Sequence, residues 1–290
     1  MRVLLLGAGG MLGRALIETA PAVAQLAAYP RRALDLLDGA AVADALDRHR
    51  PEWVLNAAAW TRVDDAEQAR GEAFAANADA VGTLGVLAAV RGAAVLHVST
   101  DYVFPGTAPQ GDDRAPRPWR EDDPTAPLNV YGQSKLAGER ALATSGAAWC
   151  VARTQWLYGP HGRSFPRTML ARARAGTPSR VVDDQHGAPT HVRDLAVALW
   201  ALVAAGARGV VHATNAGQAT WCDVAREVYA HAGADPALVT PCASADFPTP
   251  ARRPAWGVLD GARLREAYGV AMRDWRAPLA EFCRDEQQRA

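Results

Sequence analysis

The run RVLLLGAGGMLG at residues 2–13 constrains the fold more than any other stretch of the chain. Its first apolar residues come consecutively and do not alternate, which marks a strand covered on both faces, as in a parallel sheet. Glycines close the run, and GMLGRALIETA then reads as a helix. A buried strand that passes through glycines into a helix leaves bare backbone and a helix N-terminus at the carboxyl edge of a sheet. That arrangement suits a pyrophosphate. The common spacing G-x-G-x-x-G fails, because its last glycine would fall on Leu12. What fits is G-x-x-G-x-x-G, at Gly7, Gly10 and Gly13. Its place directly after the first strand favours a dinucleotide site over an incidental strand–helix turn.

The alternation continues. AQLAAY is a weaker strand, DGAAVADALDRHR a helix, and PEWVLNAAA a second buried strand. A long alanine-rich helix is expected over about 64–90, a strand at AAVLHVST, a helix over about 130–145 and a strand at WCVART. Strands and helices in this order predict an α/β fold, a Rossmann-type doubly wound parallel sheet. Its ligands should lie just past the strand ends. Beyond residue 157 the pattern loosens, with helices at about 164–175, 191–205, 220–232 and 274–285. The division expected is a dinucleotide-binding domain over 1–157 and a smaller C-terminal, mainly substrate-binding lobe over 158–290. Within the latter, about 178–214 is expected to pack back onto the first domain. The proline-rich segments 105–127 and 247–257 read as loops.

With 290 residues, 49% hydrophobic and 21% charged, the chain has the make-up of an ordinary globular protein. A net charge of zero and a pI of about 7.1 argue against nucleic acid or an acidic membrane as partner. The four cysteines form no C-x-x-C pair, so neither zinc nor a disulfide framework is indicated. The N-terminal apolar run is too short for a signal peptide, and no stretch is expected to cross a bilayer. The expectation is a cytoplasmic protein.

One spacing stands out against this background. Lysine and arginine together number 31, yet the only lysine is Lys135, four residues after Tyr131 in PLNVYGQSKLAGE. With six tyrosines in 290 residues, that coincidence has a chance of about 2%. On a helix the two side chains share a face. A tyrosine so placed can give a proton to a carbonyl oxygen, and a neighbouring ammonium would lower its pKa. Ser99 or Thr100, ending the fourth strand, would bring a hydroxyl to the same oxygen.

After the second strand stand Arg31 and Arg32, where a carboxylate for the adenosine ribose would be expected. Two guanidiniums suit the 2′-phosphate of NADPH. The alternative is two solvated arginines, with Asp35 approaching the adenine or its ribose instead; of the two cofactors NADPH is favoured.

Together these features resemble the extended short-chain dehydrogenase/reductases. The strings NAAAWTRVDDAE, STDYVFPG, PLNVYGQSKLAGE, RTQWLYG, DQHGAPT and FPTPARRP resemble, more narrowly, the dTDP-4-dehydrorhamnose reductase family. The resemblance implies NADPH- or NADH-dependent reduction of the 4-keto group of a dTDP-6-deoxy sugar. It also implies roles by position. Thr100, Tyr131 and Lys135 match the catalytic trio. Gly7, Gly10, Met11 and Leu12 fall in the pyrophosphate turn, Asp35 and Leu36 near the adenine, and Ala57, Ala58 and Ala59 beside the cofactor sugars. Trp156 lines the sugar pocket, joined by Val63 and Tyr102, while Arg252 and Arg253 meet the diphosphate. The chain departs from the family at Trp60, often Tyr or His, and at Gln155 and Gly257, where Ser is common. Glutamates that hold magnesium at a dimer interface in some members correspond to Ala15 and Arg193, so no metal is expected. The partner expected is a small nucleotide sugar, with the chain a monomer or homodimer.

Two competing readings remain. A non-catalytic regulatory subunit of the same fold, like the partner protein of methionine adenosyltransferase, would not need the Thr100/Tyr131/Lys135 set. A dehydratase or epimerase holds NAD tightly, and a dehydratase would place a glutamate where this chain has Tyr102. Asp101 reads as a backbone cap, and among the tryptophans only Trp156 and Trp60 merit a pocket reading.

Overall fold

The computed structural model describes residues 1–111 and 115–289. Its centre is a six-stranded parallel sheet in which β1 (Arg2–Leu6) lies between β2 (Gln25–Tyr29) and β3 (Trp53–Asn56). Next to β3 come β4 (Ala94–Thr100), β5 (Trp149–Thr154) and a last strand, Gly209–His212. Both faces are covered, which accounts for the unbroken apolar runs. On one face Val3, Leu5, Trp53, Leu55 and Leu96 pack with α1 (Met11–Glu18) and the helix Val192–Ala204. On the other, Leu4, Leu6, Val54, Val95 and Val151 pack with α2 (Gly39–His49) and the helix Ala80–Val90.

The winding reverses between β1 and β3, so their carboxyl ends frame a crevice. A second core, built on Tyr158, Leu170, Tyr229, Trp275 and Phe282, holds the helices Phe165–Arg174, Trp221–His231 and Arg276–Gln288. The stretch around 178–214 divides between the two cores. Helix Val192–Ala204 and strand Gly209–His212 join the large sheet, but Ser179–Val182 pairs with Val239–Cys242 beside the second core.

Two expectations need correction. The helix expected over 64–90 is interrupted. A turn at Val63–Ala66 precedes a helix over Arg70–Val90 that widens into a π-turn at Ala75–Asp79. The buried Asn77 of that turn explains the distortion. Its side chain accepts from the Trp60 amide at 2.9 Å and donates to the Trp60 carbonyl at 3.1 Å and to Ser134 Oγ at 2.9 Å. The expectation that no stretch could cross a bilayer also fails as stated. Arg70–Val90 has the length and, at a mean hydropathy of 1.5, the composition to do so. Its apolarity is put to another use here, since Ala80, Val81, Leu84 and Ala88 pack in the sheet's core.

Candidate active site

At the first strand end, Gly7 adopts φ +83°, a conformation that glycine takes without strain. A Cβ there would lie 2.6 Å from the Ala58 amide nitrogen, and one on Gly13 would lie 2.2 Å from the Gly7 carbonyl oxygen. The backbones of the β1 and β3 turns therefore approach as closely as the chain allows. Gly10 is the N-cap of α1 and offers no side-chain cap to the first-turn amides of Met11, Leu12 and Gly13. Ala57 and Ala58 are half-buried and Ala59 is exposed on the opposite wall.

Arg31 is exposed and pairs with Asp35 at 3.1 Å, and Asp35 also accepts from the Leu37 amide at 3.1 Å. The two rival adenosine ligands thus stand side by side and partly neutralise one another. Leu36 points inward and is buried.

Tyr131 and Lys135 sit in the first turns of the helix Val130–Ala143, whose N-cap Asn129 accepts from the Gly132 amide at 2.8 Å. Lys135 is fully buried, with Nζ donating to the Val98 carbonyl at 2.7 Å and lying 2.9 Å from His97 Nε2. Burial pulls its pKa down to about 8 against the raising influence of Glu139. That glutamate, one turn on, is clamped by Arg153 at 2.7 and 3.0 Å and by Ser99 Oγ. Ser99 is thereby turned to Glu139, which leaves Thr100 as the strand-end hydroxyl on the Tyr131 side, where it also accepts from the Tyr102 amide at 3.2 Å.

Thr100 faces the Tyr131 phenol, and its own hydroxyl lies 3.1 Å from Asp101 Oδ1. The expected lowering of the phenol by Lys135 is not found. Burial pushes Tyr131 up to about 12, only partly offset by Thr100, with the lysine turned towards β4. The phenol is therefore firmly protonated. Asp101 is more than a cap: it is fully buried, burial pushes its carboxyl up to about 7, and its Oδ2 has no hydrogen-bond partner among the described residues. Tyr102 lies edge-on to Tyr131 at 5.5 Å between ring centroids, and Val63 opens the short turn after β3.

A cavity of about 630 Å³ lies to the other side, lined by Phe165, Arg180, Trp221, Phe247, Arg252 and Arg253 among others. Trp156, at φ +48°, stacks on Trp221 at 3.6 Å, and Trp221 Nε1 donates to Gln185 at 3.1 Å. Trp156 thus holds a backbone conformation that costs on the order of 1–3 kcal/mol for a non-glycine residue and is kept by its surroundings. The arginines of PARRP differ. Arg252 is exposed on the cavity wall, while Arg253 is spent on Asp64 at 2.8 Å. The Arg252 carbonyl accepts from Asn129 at 2.8 Å, so the cavity wall is fastened to the cap of the Tyr131 helix.

Sequence reasoning missed Trp221, Phe165 and Arg180 on the cavity and His97 beside Lys135. Trp221 lies within the Thr220–Asp223 capping box at a helix start, and His97 interrupts the apolar part of its strand. Both were visible signals.

Comparison with known proteins agrees with this geometry. The family described as RmlD substrate binding domain matches residues 1–288. A probable dTDP-4,6-dihydroxy-2-methyloxan-3-one 4-ketoreductase of Streptomyces antibioticus is 45% identical over 97% of this chain and 94% of its own. A dTDP-4-dehydrorhamnose reductase of Streptomyces griseus is 44% identical over 97% and 92%. The crystal structure of a dTDP-4-dehydrorhamnose reductase of Bacillus anthracis in complex with NADP superposes with a TM-score of 0.90 at 32% identity, covering 98% and 99%. With a sheet, a glycine turn and a Tyr–Lys helix of this kind running through its full length, the chain belongs to the dTDP-4-dehydrorhamnose reductase family.

Proposed function

We propose that the chain reduces the 4-keto group of dTDP-4-dehydro-L-rhamnose to give dTDP-L-rhamnose, in the cytoplasm, as a monomer or homodimer. The carrying observation is the protonated Tyr131 phenol beside the Thr100 hydroxyl, at the sheet edge that also bears the glycine turn. The close approach of Gly7 to Ala58 leaves no room for a side chain and suits a pyrophosphate against bare amides, so the residues fit a nicotinamide dinucleotide. Gly7, Gly10, Met11, Leu12 and Gly13 would hold its phosphates, Arg31, Asp35 and Leu36 its adenosine, and Ala57, Ala58, Ala59 and Lys135 its sugars. Such a cofactor, as NADPH or NADH, supplies the hydride.

The protein's own part is acid catalysis and alignment. Tyr131 gives its proton to the 4-oxygen, and the Thr100 hydroxyl, rotated away from Asp101 Oδ1, donates a hydrogen bond to the same atom. Lys135, with two of its bonding directions taken by Val98 and His97, has one left to steady the dinucleotide ribose. Trp156, Val63 and Tyr102 shape the sugar site. The half beyond residue 157 carries the cavity, where Trp221 and Phe165 offer aromatic faces to a base and Arg252 and Arg180 offer charge to a diphosphate. The Arg253–Asp64 pair then fastens the two halves across the cleft.

The test is direct. Protein mixed with dTDP-4-dehydro-L-rhamnose and NADPH or NADH should consume reduced nicotinamide and yield dTDP-L-rhamnose. No consumption with either cofactor would overturn the reading. The similarity to a ketoreductase named for a more deoxygenated sugar favours a second substrate of the same class. Comparing kcat/KM for the two sugars decides between them.

A further inference from the structure

The bonds around Lys135 carry more information than the position of the lysine. Four groups stand in line across β3, β4 and the Tyr131 helix. The Ala58 amide donates to Asn56 Oδ1 at 3.0 Å. Asn56 Nδ2 lies 3.1 Å from His97 Nδ1, and His97 Nε2 lies 2.9 Å from Lys135 Nζ. Asn56, His97 and Lys135 are all at most 1% exposed, so bulk water does not repair a mismatch.

A backbone amide can only donate, so Asn56 must present its oxygen to Ala58 and its NH₂ to the ring. Nδ1 therefore accepts, and a neutral imidazole then carries its proton on Nε2, aimed at Lys135. An ammonium there would set donor against donor. A neutral amine accepts from Nε2–H through its lone pair and still donates to the Val98 carbonyl. Turning the Asn56 amide over moves the conflict to Ala58 without removing it.

We propose that His97 is a positioning residue for Lys135: locked by Asn56 with its proton on Nε2, it faces Nζ with a donor and so makes the lysine give up its proton more readily than an ordinary lysine does. Burial acts in the same direction on both groups, lowering the pKa of each. The charged and titratable groups around the pair are few. Glu139 favours the ammonium, but Arg153 and Ser99 already hold its carboxylate; on the cleft side burial keeps Tyr131 neutral, while Asp101, at about 7, ionises just below the lysine and favours its charged form. A lysine poised this way can take up and release a proton near neutral pH, as recharging Tyr131 after each turnover requires. An ordinary lysine, at about 10.4, would stay a cation throughout.

The inference rests on the reductase reading for its purpose, but its test does not. Because Lys135 is the only lysine, protein grown on [ε-¹³C]lysine gives one resonance whose pH titration belongs to this residue. The wild-type midpoint should lie at or below about 8. His97→Gln keeps an N–H at the Nε2 position and should leave the midpoint in place. His97→Asn withdraws it and should raise the midpoint by about one pH unit or more. Asn56→Asp keeps the Ala58 bond but draws the ring proton to Nδ1, so Nε2 becomes an acceptor and the midpoint should rise as well. This variant preserves volume and stands in if His97→Asn does not fold. A wild-type lysine still charged at pH 10 overturns the proposal, as do midpoints unmoved in folded His97→Asn or Asn56→Asp. Should the titrations behave as stated while the nicotinamide assay stays silent, the reductase reading falls and the His97 network stands.

Discussion

The Lys135 neighbourhood and the Trp221 cavity are made by opposite means. Around Lys135 the groups come from strand ends and one helix turn, are buried, and spend nearly every bonding direction on one another. The cavity draws on Phe165, Arg180, Trp221 and Arg252, from four separate segments, and meets solvent with aromatic faces and exposed guanidinium groups. The first arrangement fixes the state of a proton. The second offers surface to something large, flat and anionic. Rate should therefore depend on the one and affinity on the other.

The largest effect expected is on rate. Tyr131→Phe removes the proton donor and keeps the ring that packs against Tyr102, so kcat should fall by roughly 10²–10⁴-fold with KM little changed. Steady-state kinetics over a substrate series checks it. A KM effect as large as the kcat effect would erase the contrast between the two regions.

Next in size is the buried carboxyl beside that phenol. Asp101 has a folded pKa of about 7, above the ordinary 3.8, so the folded chain holds a proton that the unfolded chain releases. Its sign is thus opposite to that of an ion-paired aspartate. Stability is highest below pH 4 as far as this group is concerned and is lost as pH rises towards 7. Between pH 5 and pH 8 the loss should be on the order of 2–3 kcal/mol. Asp101→Asn cannot lose it, so its urea midpoint should gain on the wild type across that interval. Parallel curves for the two proteins would show that burial does not hold the proton there.

How much of this was legible follows the same division. The strands, the glycine turn, the hydroxyls at the end of the fourth strand and the shared helix of Tyr131 and Lys135 were readable as placements because each depends on neighbours within a few positions, where helix spacing and strand ends decide geometry. The π-turn was not, since it answers to Asn77 reaching Trp60 and Ser134 across the fold. The pKa of Tyr131 was misjudged for a related reason. Spacing set the lysine on the right face, but its direction was decided by Val98 and His97 on a strand 37 and 38 residues earlier. Trp221 became a cavity wall only through its stack on Trp156, 65 residues away in sequence by their numbers (221 − 156).

Smaller effects are expected in the cavity. Trp221→Ala removes an aromatic face and the support for the strained Trp156. Loss of one such face costs on the order of 1–3 kcal/mol where it stacks on a base, or roughly a 5–150-fold rise in KM. The kcat should change less, since the cap that Asn129 gives the Tyr131 helix rests on Gly132 and Arg252 and not on Trp221. Calorimetric binding of dTDP alone separates the two effects. Unaltered dTDP affinity would move the nucleotide out of this cavity.

The smallest effect concerns the seam between the regions. A Cβ on Gly257 would lie 2.4 Å from Asp101 Oδ2 and 3.1 Å from Gln155 Oε1, at two positions where the resembling family commonly has serine. The two departures answer each other. Gly257, without a side chain, leaves room for both the Asp101 carboxyl and the Gln155 amide. Gly257→Ser alone should cost about 1–3 kcal/mol through that overlap. In a Gln155→Ser background the carboxyl of Asp101 can swing into the vacated space and the cost should shrink. Chemical denaturation of the two single variants and the double variant closes the cycle, with an expected coupling of about 1 kcal/mol. Costs that add within about 0.3 kcal/mol would mean that Asp101 does not move, and that the proton site is insulated from the substrate side even where the two touch.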